Sequence, residues 1–229
     1  MDTHADMKAQ LLQAILPHVT FDGWSETAFC QACNDSDIEL SNARLVCPRG
    51  ALDLAVFFHV LGDNAMHMQI HAHDFSTMRF RDKVATAVRI RLESVTDKEA
   101  VRRGATLFAL PQNAALSARL IWGTADAIWS GLGDSSTDVN WYTKRATLSA
   151  VYGSCVLFWL GDDSPDHVAT WEFLDRRIEN VMQVEKVKSK VRENAPLQKL
   201  LSGPNWMLSK IRSPQSKTWK ESPGTWNNS

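Results

Sequence analysis

The chain has 229 residues, 44% of them apolar and 22% charged, a balance that excludes the disordered and membrane-spanning classes. The length suits one large domain carrying a small appendage. A net charge of −1 hides an asymmetry: residues 183–229 hold nine Lys or Arg against three Glu, so this segment is +6 and the remainder −7. Such a tail suits an anionic surface, and no apolar run reaches the roughly 20 residues needed to cross a bilayer. The first six residues carry Asp2 and Asp6 and no Lys or Arg, so no signal peptide, transit peptide or anchor is expected. Four irregularly spaced cysteines make no disulfide framework and point to a reducing compartment. Cys30 and Cys33 share a helical face, where core packing is the expected role and zinc the alternative.

Apolar residues recur at three and four positions, which predicts an all-α fold of about nine or ten helices. The first is expected over 6–18, with Met7, Leu11, Ile15 and Leu16 on its buried stripe. Gly23 and Trp24 turn the chain. Ser25 is a candidate cap for a short helix carrying Ala28, Phe29 and Ala32, and Ser41 for another over 42–46. Pro48 ends that element, and Gly50 opens a long helix through Leu52, Val56, His59 and Val60 to about residue 71.

This order of helix, turn, two short helices and a long one resembles the N-terminal helix-turn-helix of TetR regulators. The charge does not follow. Residues 1–60 hold three basic side chains, Lys8, Arg44 and Arg49, against eight acidic ones, and the turn into the would-be recognition helix carries Asp35, Asp37 and Glu39. Such a surface repels phosphates, so the fold is expected without nucleic-acid binding.

Further helices are expected over 76–96, 98–110 and 111–131, with Pro111 at a first helical position, then over 137–160 up to Gly161. Arg79, Arg81, Lys83, Arg89 and Arg91 make the first of these basic, which fits a solvated face. Ser164 and Pro165 signal the start of a last body helix, with Val168, Trp171, Leu174, Ile178 and Met182 on its stripe. In the tail Leu197, Leu200, Leu201, Trp206, Met207, Leu208 and Ile211 lie among Lys199, Lys210 and Arg212, the pattern of an amphipathic membrane-interface helix. Pro, Ser, Asn and Gly dominate after residue 213, where disorder is expected. The expected organisation is a helix-turn-helix-like region over 1–72, a helical lipid-binding and dimerisation body over 73–192, the amphipathic helix over 193–212 and a disordered tail over 213–229.

No persuasive catalytic constellation stands in the sequence, so no enzyme activity, metal or cofactor is expected. His67, His71 and His73 with Asp74 come nearest, because 67 and 71 share a helical face. Without a third ligand elsewhere they read as a solvated or partner-facing surface. Asp162 and Asp163 beside Ser164 read as charge at a helix N-terminus. Large apolar residues on consecutive helices, Phe57, Phe58, Leu61, Leu107, Trp122, Trp129, Phe158, Trp171 and Leu174, are candidates to line a lipid pocket, although an ordinary core would use the same residues.

Residues 133–145, GDSSTDVNWYTKR, combine a turn, a helix start capped by Thr137 or Asp138, and Asn140, Trp141 and Tyr142 within one turn. Adjacent helical side chains point about 100° apart. The two aromatics therefore either leave one ring near the surface as an interface anchor or wedge neighbouring helices together.

This run, followed by 146–152 and by Asp163, Ser164, Pro165, Asp166, Thr170, Trp171, Phe173 and Leu174, resembles the coenzyme Q biosynthesis accessory family, the ninth of those proteins. The resemblance extends to Gly23, Trp24, Leu110, Pro111, Asn113, Arg81 and Asp82, and is loosest over 47–73. It implies a TetR-like bundle without DNA binding, a homodimer, and an apolar pocket for an isoprenoid lipid or ubiquinone intermediate. It also implies docking to a ubiquinone-biosynthesis hydroxylase through Asp138, Asn140, Trp141, Tyr142 and Arg145, and membrane contact through the amphipathic tail. The lack of a transit peptide points to a bacterial member, cytoplasmic and peripheral on the inner membrane. A lipid-sensing TetR-type transcription regulator is the alternative reading.

Overall fold

The computed structural model describes the backbone of residues 3–193 and the side chains of 4–183. The expected amphipathic helix over 193–212 and the tail over 213–229 lie outside the described residues, apart from the backbone of residue 193. Among the described residues there are nine α-helices and no strand. They are α1 Thr3–Asp22, α2 Glu26–Asp35, α3 Leu40–Val46, α4 Ala51–Ala72, α5 Phe80–Glu93, α6 Lys98–Phe108, α7 Ala114–Gly131, α8 Val139–Leu160 and α9 Val168–Glu193. Two single 3-10 turns, Pro111–Asn113 and Pro165–His167, lead into α7 and α9. Among the described residues no single helix is long and apolar enough to cross a membrane.

The residues fall into two units, one made of 3–66 with 93–120 and the other of 67–92 with 121–193. This division is discontinuous along the chain. In the first unit α1 packs against α2, α3 and α6. Its stripe is Leu11, Leu12, Ile15 and Val19, all buried at helical spacing. Pro17 lies inside α1 rather than near its end. A proline there leaves the carbonyl four residues back without its N–H, but Pro17 and Gln13 are both on the exposed side, where water replaces the lost bond. Gly23, at φ +66, stops the helix by giving its N–H to the Val19 carbonyl at 3.0 Å. The Ser25 hydroxyl then accepts from the Ala28 N–H at 3.2 Å, so this expected cap forms.

The second expected cap does not form. Glu39, not Ser41, precedes α3, and it makes no side-chain cap bond. The helix starts earlier, and the Glu39 carbonyl accepts from the Ala43 N–H at 3.0 Å. Phe29 is fully buried between these short helices, and Trp24 donates from Nε1 to the Ala100 carbonyl on α6 at 3.0 Å. Asp97 caps α6 by accepting from the Ala100 N–H at 2.9 Å.

In the second unit α8 packs on α9, with Leu148, Val151, Tyr152, Cys155, Trp159 and Leu160 of α8 and Leu174 and Ile178 of α9 buried. Val168, expected on the buried stripe of α9, is 51% exposed. The helix expected over 76–96 shortens to Phe80–Glu93, and Pro111 sits in the 3-10 turn before α7. At the α8 to α9 connection the buried Asp162 carboxylate accepts from the Ser164 N–H at 2.8 Å and from the Thr170 N–H at 2.9 Å. It also accepts from the Thr170 hydroxyl, and these bonds from Ser164 and Thr170 hold its pKa far below the usual carboxylate range. Asp162 is thus a fixed cap, as its place at a helix start suggested.

All four cysteines are free thiols. Cys33, Cys47 and Cys155 are buried, and burial pushes the Cys47 thiol up to about 11 and Cys155 to about 12, which keeps both protonated and inert.

Candidate functional site

The residues 133–145 open α8 at a polar and aromatic cluster within the second unit. Asp138 is the N-cap: one carboxylate oxygen accepts from the Asn140 N–H at 3.0 Å and the other from its Nδ2 at 3.0 Å. Asp138 and Asn140 are both exposed.

Trp141 and Tyr142 follow, their rings edge to face at 4.8 Å. Both also meet Trp122 of α7, at 6.0 Å and 6.4 Å, and all three rings are half-buried. The pair therefore wedges α7 against α8 and still presents aromatic edge to solvent, combining the two alternatives that the sequence left open.

Arg145 lies beneath this surface with only 2% exposure. Its Nε donates to Asp126 Oδ1 at 2.5 Å, and its Nη1 donates to Asp134 Oδ2 at 3.1 Å and to the Trp141 carbonyl at 3.2 Å. Its guanidinium stands 4.0 Å from the Trp141 ring centroid, a cation–π contact shielded from water. Lys144 adds bonds from Nζ to Asp134 at 2.8 Å and to the Ser136 hydroxyl at 2.7 Å. Burial alone would raise the Asp134 pKa, but the hydrogen bonds from Lys144, Ser136 and Arg145 prevail and lower it to about 2. One buried cation and two carboxylates thus fix the start of α8 and the tilt of Trp141.

Of the residues expected at a partner surface, Asp138, Asn140, Trp141 and Tyr142 stand together at the accessible start of α8, and Arg145 stands under them. Asp126, Asp134 and Lys144 were not singled out. Asp134 and Lys144 lay inside the quoted string, but Asp126 sits 19 residues before Arg145 and carries no local signal.

The nine lipid-pocket candidates are divided between the units. In the first, Phe57, Phe58 and Leu107 pack half-buried against the core, Phe58 5.9 Å from Trp24, and Leu61 is 39% exposed. In the second, Trp122 belongs to the aromatic cluster. Trp129 is buried, stacks on Phe80 at 5.6 Å and donates to the Lys144 carbonyl at 3.1 Å. Phe158 stacks on Phe173 at 4.5 Å with planes 9° apart, and Leu174 is buried. Trp171 donates to the Asp166 carbonyl at 2.8 Å and lies under the Arg89 guanidinium at 4.7 Å.

In the first unit a cleft of about 510 Å³ opens between α2 and the turn into α3, lined by Cys30, Cys33, Asn34, Asp37, Ile38, Glu39 and Leu40. Its carboxylates occupy the place where a DNA-binding helix-turn-helix needs cations. Among the described residues no group of three or more His, Cys, Asp or Glu is placed to hold a metal ion.

The comparisons with known proteins fall on these elements. Residues 114–185, from the start of α7 into α9, match the COQ9 family model. The chain is 30% identical over 202 residues to the ubiquinone biosynthesis protein COQ9, mitochondrial, of Rattus norvegicus, an alignment covering 83% of this chain and 64% of the relative. It is 28% identical over 199 residues to the probable ubiquinone biosynthesis protein coq9, mitochondrial, of Dictyostelium discoideum, covering 82% of this chain and 64% of that one. The chain thus spans just under two thirds of the length of these relatives. Among solved structures it is similar to a TetR transcriptional regulator from Nitrosomonas europaea, with a TM-score of 0.61, 14% identity, and coverage of 76% of this chain and 97% of that one. At that identity the likeness shows the fold alone, and the fold is the TetR-like all-α bundle expected from the sequence.

One expectation is overturned. The curated relatives are mitochondrial proteins of eukaryotes, which contradicts the expected cytoplasmic location on a bacterial inner membrane. The acidic first residues were a poor guide, because the start of this sequence says nothing of what precedes it. The family model matches the stretch that carries the aromatic cluster, and alignments at up to 30% identity span most of this chain: together they support the COQ9 family.

Proposed function

We propose that the chain serves ubiquinone biosynthesis as a non-catalytic accessory protein, binding an isoprenoid intermediate and presenting it to a partner hydroxylase. The relatives' role in ubiquinone biosynthesis supports the pathway. The observation that carries the docking step is the aromatic surface at the start of α8. Trp141 and Tyr142 are held rigid by Trp122 and by the buried Arg145, with Asp138 and Asn140 as a polar rim. Interfaces draw most of their affinity from a few preorganised aromatic anchors bordered by polar groups, and this surface has that composition.

In this reading Arg145 positions the anchors from below and does not itself touch the partner. The lipid is held by apolar side chains within a single unit, drawn either from Phe57, Phe58, Leu61 and Leu107 of the first or from Trp122, Trp129, Phe158, Trp171 and Leu174 of the second. The basic tail meets the membrane, and two copies of the chain associate.

The test is a pulldown of a ubiquinone-biosynthesis hydroxylase by the wild-type chain and by Trp141→Lys. The proposal expects capture by the wild type and its loss in the variant, with the helical circular-dichroism spectrum unchanged. Equal capture by both chains would remove the α8 surface from the account.

A further inference from the structure

The last turns of α4 carry a feature that the proposed role does not use. His67 and His71 are separated by one helical turn, both are exposed, and their ring centroids lie 4.2 Å apart. The Nδ1 of His71 donates to the His67 carbonyl at 2.9 Å. That bond selects the tautomer in which Nε2 of His71 keeps a free lone pair. A metal-ligating histidine is oriented in the same way, by giving its other ring N–H to a backbone carbonyl. Neither ring is ion-paired among the described residues.

We propose that His67 and His71 form a two-imidazole chelate for a late first-row divalent transition metal such as Zn2+ or Cu2+, with water completing the coordination. Imidazole nitrogen is a preferred donor for these ions, and affinity rises toward copper along the series. Two nitrogens one turn apart reach a common ion from neighbouring turns, so binding ties the end of α4 together and stabilises the folded chain. His73 stands outside the pair, its ring against Phe75 at 4.5 Å, and serves as the internal control.

The full chain is titrated calorimetrically with ZnCl2 as wild type, His67→Gln, His71→Gln and His73→Gln. Glutamine keeps helix propensity at these exposed positions. One ion per wild-type chain is expected. Each of the first two variants should weaken binding by at least the roughly tenfold that losing even an outer-shell partner costs, and His73→Gln should leave it unchanged. Copper-bound wild type should show two nitrogen donors by electron paramagnetic resonance, and each single variant one. In wild type alone, Zn2+ should protect His67 and His71 from acylation by diethyl pyrocarbonate, a readout that needs no variant. No binding, binding unchanged in both variants, or an equal loss in His73→Gln would overturn the proposal.

Discussion

Arg145 has two carboxylates, a backbone carbonyl and an indole ring within reach and almost no contact with water. Removing one member of a buried charge network leaves the others uncompensated, which costs far more than the loss of a surface pair. Arg145→Met should therefore destabilise the chain by about 3 kcal/mol or more, read by urea unfolding, and should also weaken partner capture by freeing Trp141. Arg145→Lys should not restore either property, because an ammonium cannot serve Asp126, Asp134 and the Trp141 face from one planar group. Asp134 adds a pH dependence. Its pKa falls from 3.8 unfolded to about 2 folded, so its contribution is complete above about pH 4 and is lost as pH drops toward 2. The shift corresponds to about 2 kcal/mol, and Asp134→Asn should flatten that part of an acid-unfolding curve. The residues from Asp134 to Arg145 were visible in the sequence as one unusual string. Their division into an exposed aromatic edge and a buried cation was not, because Asp126 approaches from another helix.

At the scale of single elements, turn chemistry was the most readable. Gly23, Ser25, Gly50 and Gly161 each mark a helix boundary that the chain uses. Gly50 lies at φ +59, and a Cβ there would stand 2.8 Å from Arg44 Nη1 and 3.2 Å from Glu26 Oε2, the two groups of an ion pair. Gly50→Ala should lower stability by about 1–2 kcal/mol from the left-handed backbone alone, measured by thermal unfolding. Ser41 failed as a cap because the helix begins one residue before it, a shift that local residue preferences do not resolve. The first helix runs past its expected end at residue 18 to Asp22, because the Gln13 carbonyl that Pro17 leaves without an N–H is on the exposed side and the apolar stripe continues to Val19.

Over the whole molecule the charge asymmetry links sequence to role. The acidic first 60 residues remove the electrostatic basis for DNA binding from a fold shared with TetR regulators, and the surplus of cations lies after residue 183. Trp206→Glu with Leu208→Glu should reduce binding to anionic liposomes, and raised salt should do the same in the parent chain. Both follow from the alternation of apolar and basic residues over 196–212. The all-α fold was legible from periodicity. The discontinuous units were not, since helices α4 and α7 contribute residues to both and no composition shift marks the change. The central claim is that this chain carries an isoprenoid lipid, and mass spectrometry of the organic extract from chain purified out of a ubiquinone-producing host tests it most directly. A stoichiometric polyisoprenoid quinone or precursor is the predicted result, and an extract free of isoprenoid lipid would contradict the account.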